Sequence, residues 1–220
     1  LRAGYPVKHC RDLKSCRALL VFVPPAALPQ AVAQLAAAEI GWSGKVVLLC
    51  EGAPGSRALD PLDQRGAATG SLSRVEGSPG RYVAEGDPAA LREARRIAGD
   101  LGGRLIETHR HGGALYSAGL AFATSLFTPL IAVSVDTLRK AGCDGPAAAQ
   151  VAANLFERTL RGWVHSGRKS WTGPLADGNQ AELRRHIEAL AAHDPRAARY
   201  YRDAAAFALA WFRRHPELLR

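Results

Sequence analysis

Trp171-Thr172-Gly173-Pro174-Leu175-Ala176-Asp177-Gly178-Asn179 is an elbow punctuated by Gly and Pro, with helix-periodic apolar sequence on both sides. Before it runs 114–141, rich in Ala, Leu, Phe and Val. After it come 181–192 and 197–214, whose apolar residues recur three and four apart. This C-terminal half therefore reads as all helical. The N-terminal half reads differently.

Residues 17–23 (Arg-Ala-Leu-Leu-Val-Phe-Val), closed by Pro24-Pro25, read as a strand buried on both faces of a parallel sheet. A helix is expected over 26–40, a second strand over 45–50 and a loop from Glu51 to Ser56. A short helix over 59–64 and a weaker strand over 67–72 follow, then a Gly-rich loop over 73–80. A strand over 81–85 leads to Asp87-Pro88, a cap followed by Pro at the first helical position, and a helix to about Leu101. A strand over 104–108 completes the half. Strands alternating with helices imply βαβ units and a parallel sheet.

The helical half opens at Gly112-Gly113, and Pro129 is expected to kink its first long helix rather than end it. Pro146 starts the next helix, and Asp194-Pro195 divides the last two. The expected organisation is an α/β Rossmann-like domain over 1–110 and an all-α domain over 111–220.

The 220 residues suffice for two small domains, and contents of 47% hydrophobic and 22% charged residues are those of an ordinary globular chain. The uncharged run 115–135 passes a length test for a membrane span, but its Ser, Thr and Pro residues make it a better buried helix. The net charge of +9 comes mostly from dispersed Arg, with no basic strip interleaved with aromatics, so nucleic-acid binding through the final helices is disfavoured. Cys10, Cys16, Cys50 and Cys143 show neither zinc spacing nor a disulfide framework. Reduced thiols in a cytoplasmic setting are the expectation. The chain has no Met and opens on Leu1 within an α/β pattern, so a fragment or a trimmed chain is expected.

Candidate site residues follow from the sheet. Ligands of open α/β sheets sit at the carboxyl ends of strands, so Val23, Pro24 and Pro25 after the first strand are candidates to lie against a nucleotide. Glu51 and Gly52 follow the second strand on the same edge, where Gly permits close backbone approach. The competing readings are a strand end stopped by Pro and a plain turn. No G-x-G-x-x-G occurs in the chain. Tyr116, Ser117, Thr124 and Ser125 stand at helical spacing, and they either line a polar cleft or satisfy their own helix carbonyls. His109 and His111 lack a third ligand and read as surface residues. Asp136, Asp144 and Asp177 form no carboxylate pair, and Gly55-Ser56 lacks the context of a hydrolase nucleophile elbow.

In order, the segments Leu19–Pro24, Gly44–Val47, Gly70–Leu72, Glu85–Asp87, Leu101–Gly103, Leu115–Ala118 and Thr172–Pro174 resemble a bacterial family. In that family a Rossmann-like domain precedes a helical domain of unknown function. Its relatives are the phosphogluconate dehydrogenase, hydroxyisobutyrate dehydrogenase and pyrroline-carboxylate reductase proteins. The resemblance implies NADP or NAD as cofactor, a glycine fingerprint upstream of Leu1, and a homodimer paired through the helical domain. It implies hydride transfer with a small C=O or C=N substrate between the domains. Tyr116 would then be the proton donor, Ser117, Thr124 and Ser125 would orient substrate, and Thr172, Gly173 and Pro174 would close the cleft. The chain departs from the pattern in three places. Ser117 stands where His is usual, Ser125 where Asn is usual, and Ser71-Leu72-Ser73-Arg74 replaces Ser-Leu-His-Pro. Imidazoles and an amide give way to hydroxyls, which leaves a second reading: a non-catalytic descendant that senses nucleotide or binds a partner.

Overall fold

The computed structural model describes residues 10–50 and 55–214. They divide into two compact units, 1–123 and 124–220.

The first unit is built on a five-stranded sheet in the order β1 (Ala18–Val21), β2 (Val46–Leu49), β3 (Ala68–Arg74), β4 (Arg81–Gly86) and β5 (Arg104–Glu107). Helix α1 (Leu28–Ala37) joins β1 to β2. A 3-10 turn (Ser56–Leu59) runs into α2 (Asp60–Asp63) between β2 and β3, and α3 (Pro88–Asp100) joins β4 to β5. The β1–β2, β2–β3 and β4–β5 pairs are parallel. The β3–β4 pair is antiparallel, which corrects the expectation of a wholly parallel sheet. The reason is length: only residues 75–80 separate those strands, enough for a hairpin and far too few for a crossover.

The apolar strands have both faces covered, as buried parallel strands require. On one face Val21, Val47 and Leu49 pack with Val32 of α1 and with Leu59 and Leu62. On the other, Leu48, Leu72 and Ala84 pack with Ala90, Ala94 and Ile97 of α3. Strand β1, expected to be buried on both faces, is instead an edge among the described residues, and only Val21 of its four residues is fully buried.

The unit ends in α4 (Gly113–Ala123). Within 113–140 an 18-residue window reaches a mean hydropathy of 1.8, and the stretch would suffice by length to cross a membrane. The backbone turns at 124–126, however, and α5 (Phe127–Lys140) begins beyond it. Pro129 therefore does not kink one long helix. It lacks an N–H and its ring collides with the carbonyl four residues earlier, that of Ser125, so the break falls there and Pro129 takes a first-turn position. Eleven residues of α4 span only about 16 Å, half of a bilayer core.

The second unit holds α5, α6 (Gly145–Ser166), α7 (Gln180–His193) and α8 (Pro195–Arg214). Asp144 caps α6 by accepting the Ala147 N–H at 2.8 Å. Phe127 meets Phe156 edge-on at 5.1 Å between α5 and α6, and Trp171 lies 4.5 Å from Phe212.

Candidate functional site

Strand register places Val21, Leu49, Ser71 and Glu85 in one row across the sheet, at the carboxyl ends of β1 and β2. Paired residues share a face, so the row runs apolar, apolar, hydroxyl, carboxylate toward the α1–α2 side. Beyond Val21, Phe22 is 63% exposed, Val23 is half-buried, and Pro24 and Pro25 are exposed. The Pro24 carbonyl accepts the Ala27 N–H at 2.9 Å as the chain turns into α1. Glu51 and Gly52 lie outside the described residues.

Glu85 is fully buried, and a bare carboxylate there would be costly. Its two oxygens accept separate backbone N–H groups, Oε1 from Ser56 and Oε2 from His111. Hydrogen bonds to a charged acceptor are the stronger kind. The hydroxyls of Ser56, Thr69 and Ser71 are buried without a hydrogen-bond partner among the described residues.

Asp87 was expected to cap α3. Its backbone has the extended conformation of a cap, yet its side chain makes no capping bond. Instead Oδ2 accepts the Thr69 N–H at 2.7 Å and Oδ1 accepts Arg110 Nη1 at 2.5 Å. Arg110 Nη2 reaches Asp63 Oδ2 at 3.0 Å. Arg110 thus pins the turn that follows β5 onto two carboxylates. His111, the next residue, has φ of 63°, the left-handed region that costs a non-glycine residue about 1–2 kcal/mol.

That turn delivers α4. Gly112 offers its carbonyl to the Tyr116 N–H at 2.9 Å, and Tyr116 and Ser117 are half-buried in the first turns. The Ser117 hydroxyl donates to the Gly113 carbonyl at 2.8 Å, so its proton is committed to its own helix while its lone pairs stay available. Thr124 and Ser125, expected further along the same helix, sit in the exposed turn after it. The Thr124 carbonyl accepts the Thr128 N–H at 2.9 Å at the start of α5. Thr172, Gly173 and Pro174 form the elbow before α7. Gly173 has φ of 96°, and the Pro174 carbonyl accepts the Asn179 N–H at 2.8 Å. Val23, Pro24, Pro25, Tyr116 and Ser117 thus belong to the first unit; Thr124, Ser125 and the elbow belong to the second. Sequence reasoning gave no role to Glu85, Asp87 Oδ2 or Arg110. The one available signal was a carboxylate between Ala84 and Gly86 at a strand position whose alternate residue, Val83, is buried.

A mixed α/β sheet with helices on both faces, followed by a separate helical unit, defines a Rossmann-like protein with a helical C-terminal domain. Within that class, the chain belongs to the family described as Domain of unknown function (DUF2520), whose model matches residues 81–207. No curated protein matches the chain. Among solved structures it is similar to a protein from Bacteroides fragilis described as an NADP oxidoreductase, with a TM-score of 0.69 and 14% identity over 91% of this chain and 77% of that one. A protein from Thermotoga maritima gives 0.63 and 16% over 86% and 75%. A variant imine reductase from Myxococcus stipitatus in complex with NAD+ gives 0.60 and 16% over 93% and 78%. At these identities the likeness is one of fold.

Proposed function

We propose that the protein is an NAD(P)-dependent oxidoreductase acting on a small C=O or C=N substrate. Two of the structural relatives carry such cofactors in their descriptions. The observation within this chain that carries the reading is the row Val21–Leu49–Ser71–Glu85, which aligns the carboxyl ends of β1 and β2 with the residue that holds the turn before α4.

The residues present fit the nicotinamide end of such a cofactor. Exposed Phe22, Pro24 and Pro25, with Val23 behind them, make an apolar rim suited to a flat ring or a ribose face. The connection over 22–27 has no glycine, so the pyrophosphate finds no close backbone approach there. When bound, the cofactor supplies the hydride. Tyr116, half-buried near the start of α4, is the proton donor in this proposal, and Ser117 accepts a hydrogen bond from substrate. Thr172, Gly173 and Pro174 take the role of a closing segment, and Thr124 and Ser125 that of substrate contacts.

A homodimer through the helical unit belongs to the same proposal. Leu160, Val164 and Phe207 are 64%, 80% and 59% exposed there, apolar side chains that a partner copy would cover. Sedimentation equilibrium showing a monomer at tens of micromolar removes that part.

A second reading, a non-catalytic nucleotide sensor or partner-binding protein, draws support from the Ser117 proton being engaged by Gly113 and from Thr124 and Ser125 leaving the helix. Titration of NADPH and NADH against the thermal midpoint tests both readings. Saturation at about 100 times Kd adds about 2.7 kcal/mol to stability. A shift with turnover on imines or carbonyls supports the enzyme, and a shift without turnover supports the sensor. No shift from folded protein sinks both.

A further inference from the structure

We propose that Glu85 is a positioning residue for Tyr116, acting through the turn before α4; this rests on the reading of Tyr116 as proton donor. The path is short and continuous. Glu85 Oε2 accepts the His111 N–H, and the next residue, Gly112, gives its carbonyl to the Tyr116 N–H at 2.9 Å. Gly112 has no slack, because a Cβ there would meet the His109 carbonyl oxygen at 2.8 Å. Gly113, the first residue of α4, is buried. His111 holds a left-handed backbone that a non-glycine residue leaves unless its surroundings enforce it.

The enforcement comes from two sides. The buried carboxylate grips the turn from within, while Arg110 holds it from outside through Asp87 and Asp63. Glu85 Oε1 accepts the Ser56 N–H as well, so one carboxylate couples the segment after β2 to the start of α4. A plain core residue would not need a charge at this position. A neutral hydrocarbon of the same volume would pack there without desolvation cost, but it would leave both N–H groups unpaired. The carboxylate therefore sets the geometry of two backbone segments, the one that follows β2 and the turn before α4.

Glu85→Gln keeps the shape of the side chain and turns one of its acceptors into a donor. Comparison of amide resonances between wild type and Glu85→Gln reads the coupling directly. The His111 and Ser56 amide protons are expected to move upfield, and the shifts to continue through Gly113–Ser117 while the β1–β2 amides stay in place. In turnover, kcat is expected to fall about tenfold or more with KM for NADPH within about twofold, the pattern of a misplaced donor rather than lost binding. Glu85→Asp, which retains the charge, is expected to restore part of kcat. If the α4 amides do not respond in a folded variant, the proposal is overturned. If Glu85→Gln does not fold, Arg110→Gln loosens the same turn from its exposed side, and unmoved α4 amides there overturn it equally. A wild-type protein without turnover would remove the donor role of Tyr116 while the amide shifts still report the hold of Glu85 on α4.

Discussion

Gly70 and Gly86 face each other across the antiparallel β3–β4 pair with no room for a side chain on either. A Cβ on Gly86 would lie 2.4 Å from the Gly70 Cα and 2.4 Å from the Thr69 carbonyl oxygen. One on Gly70 would meet the Glu85 carbonyl oxygen at 2.7 Å and the Ala90 Cβ at 2.9 Å. This pair lets α3 lie close on β3, and it places Glu85, one residue before Gly86, opposite Ser71.

Gly86→Ala is therefore expected to be severe. Gly86 also has φ of 142°, so a methyl group meets both rigid backbone and an unfavourable conformation. We expect a loss of about 3 kcal/mol or more in denaturant unfolding. Gly142→Ala, at φ of 99° with nothing within 4 Å, should cost only about 1 kcal/mol. Equal costs for the two substitutions would refute the packing argument.

Two aspartates at helix starts should behave differently. Asp144→Ala removes an exposed cap and should cost about 1 kcal/mol. Asp87→Ala leaves the Thr69 N–H without its acceptor and takes from Arg110 one of its two carboxylates, a loss of about 2 kcal/mol. Chemical denaturation of both variants decides it, and an Asp87→Ala cost no larger than that of Asp144→Ala would return Asp87 to the role of a simple cap.

Tyr201 should ionise late. Burial, and then the nearby Glu182 carboxylate, raise its phenol above the ordinary 10.0, while its hydroxyl lies 2.9 Å from His186 Nδ1. A group whose pKa rises on folding contributes stability that is complete below its unfolded value and is lost as pH climbs through the folded one. The α7–α8 pair should therefore weaken above about pH 10. In a phenolate absorbance titration, Tyr201→Phe should remove a component that titrates above 10.0. An unchanged curve counts against the assignment.

Among the hydroxyls of α4, Tyr116 and Ser117 should separate in kinetics. The Ser117 proton is held by the Gly113 carbonyl, so Ser117→Ala should lower kcat/KM by less than about tenfold. Tyr116→Phe, which deletes the proposed donor, should lower kcat by about 100-fold. A larger effect from Ser117→Ala would shift the donor role to that residue.

Periodicity and punctuation in the chain were enough to separate a strand-bearing first half from a helical second half. Apolar runs closed by Pro and Gly mark β1, β2 and α3, and Asp-Pro marks the division between α7 and α8, because these signals act within a few residues. Val23, Pro24 and Pro25 could be named as a strand end for the same reason. The antiparallel pairing of β4 and the break at 124–126 follow from local causes, the short connection over 75–80 and Pro129, whereas the roles of Asp87 and Glu85 were decided by tertiary structure. Each of these roles depends on which segment a group meets in space. Asp87 carries every local mark of a cap, yet Thr69 and Arg110, distant in sequence, take its carboxylate. Glu85 is the clearest case. In sequence it is one acid in a short strand; only the folded sheet brings Ser56 and His111 to its two oxygens, since a buried charge is tolerated only where donors from elsewhere in the chain converge on it.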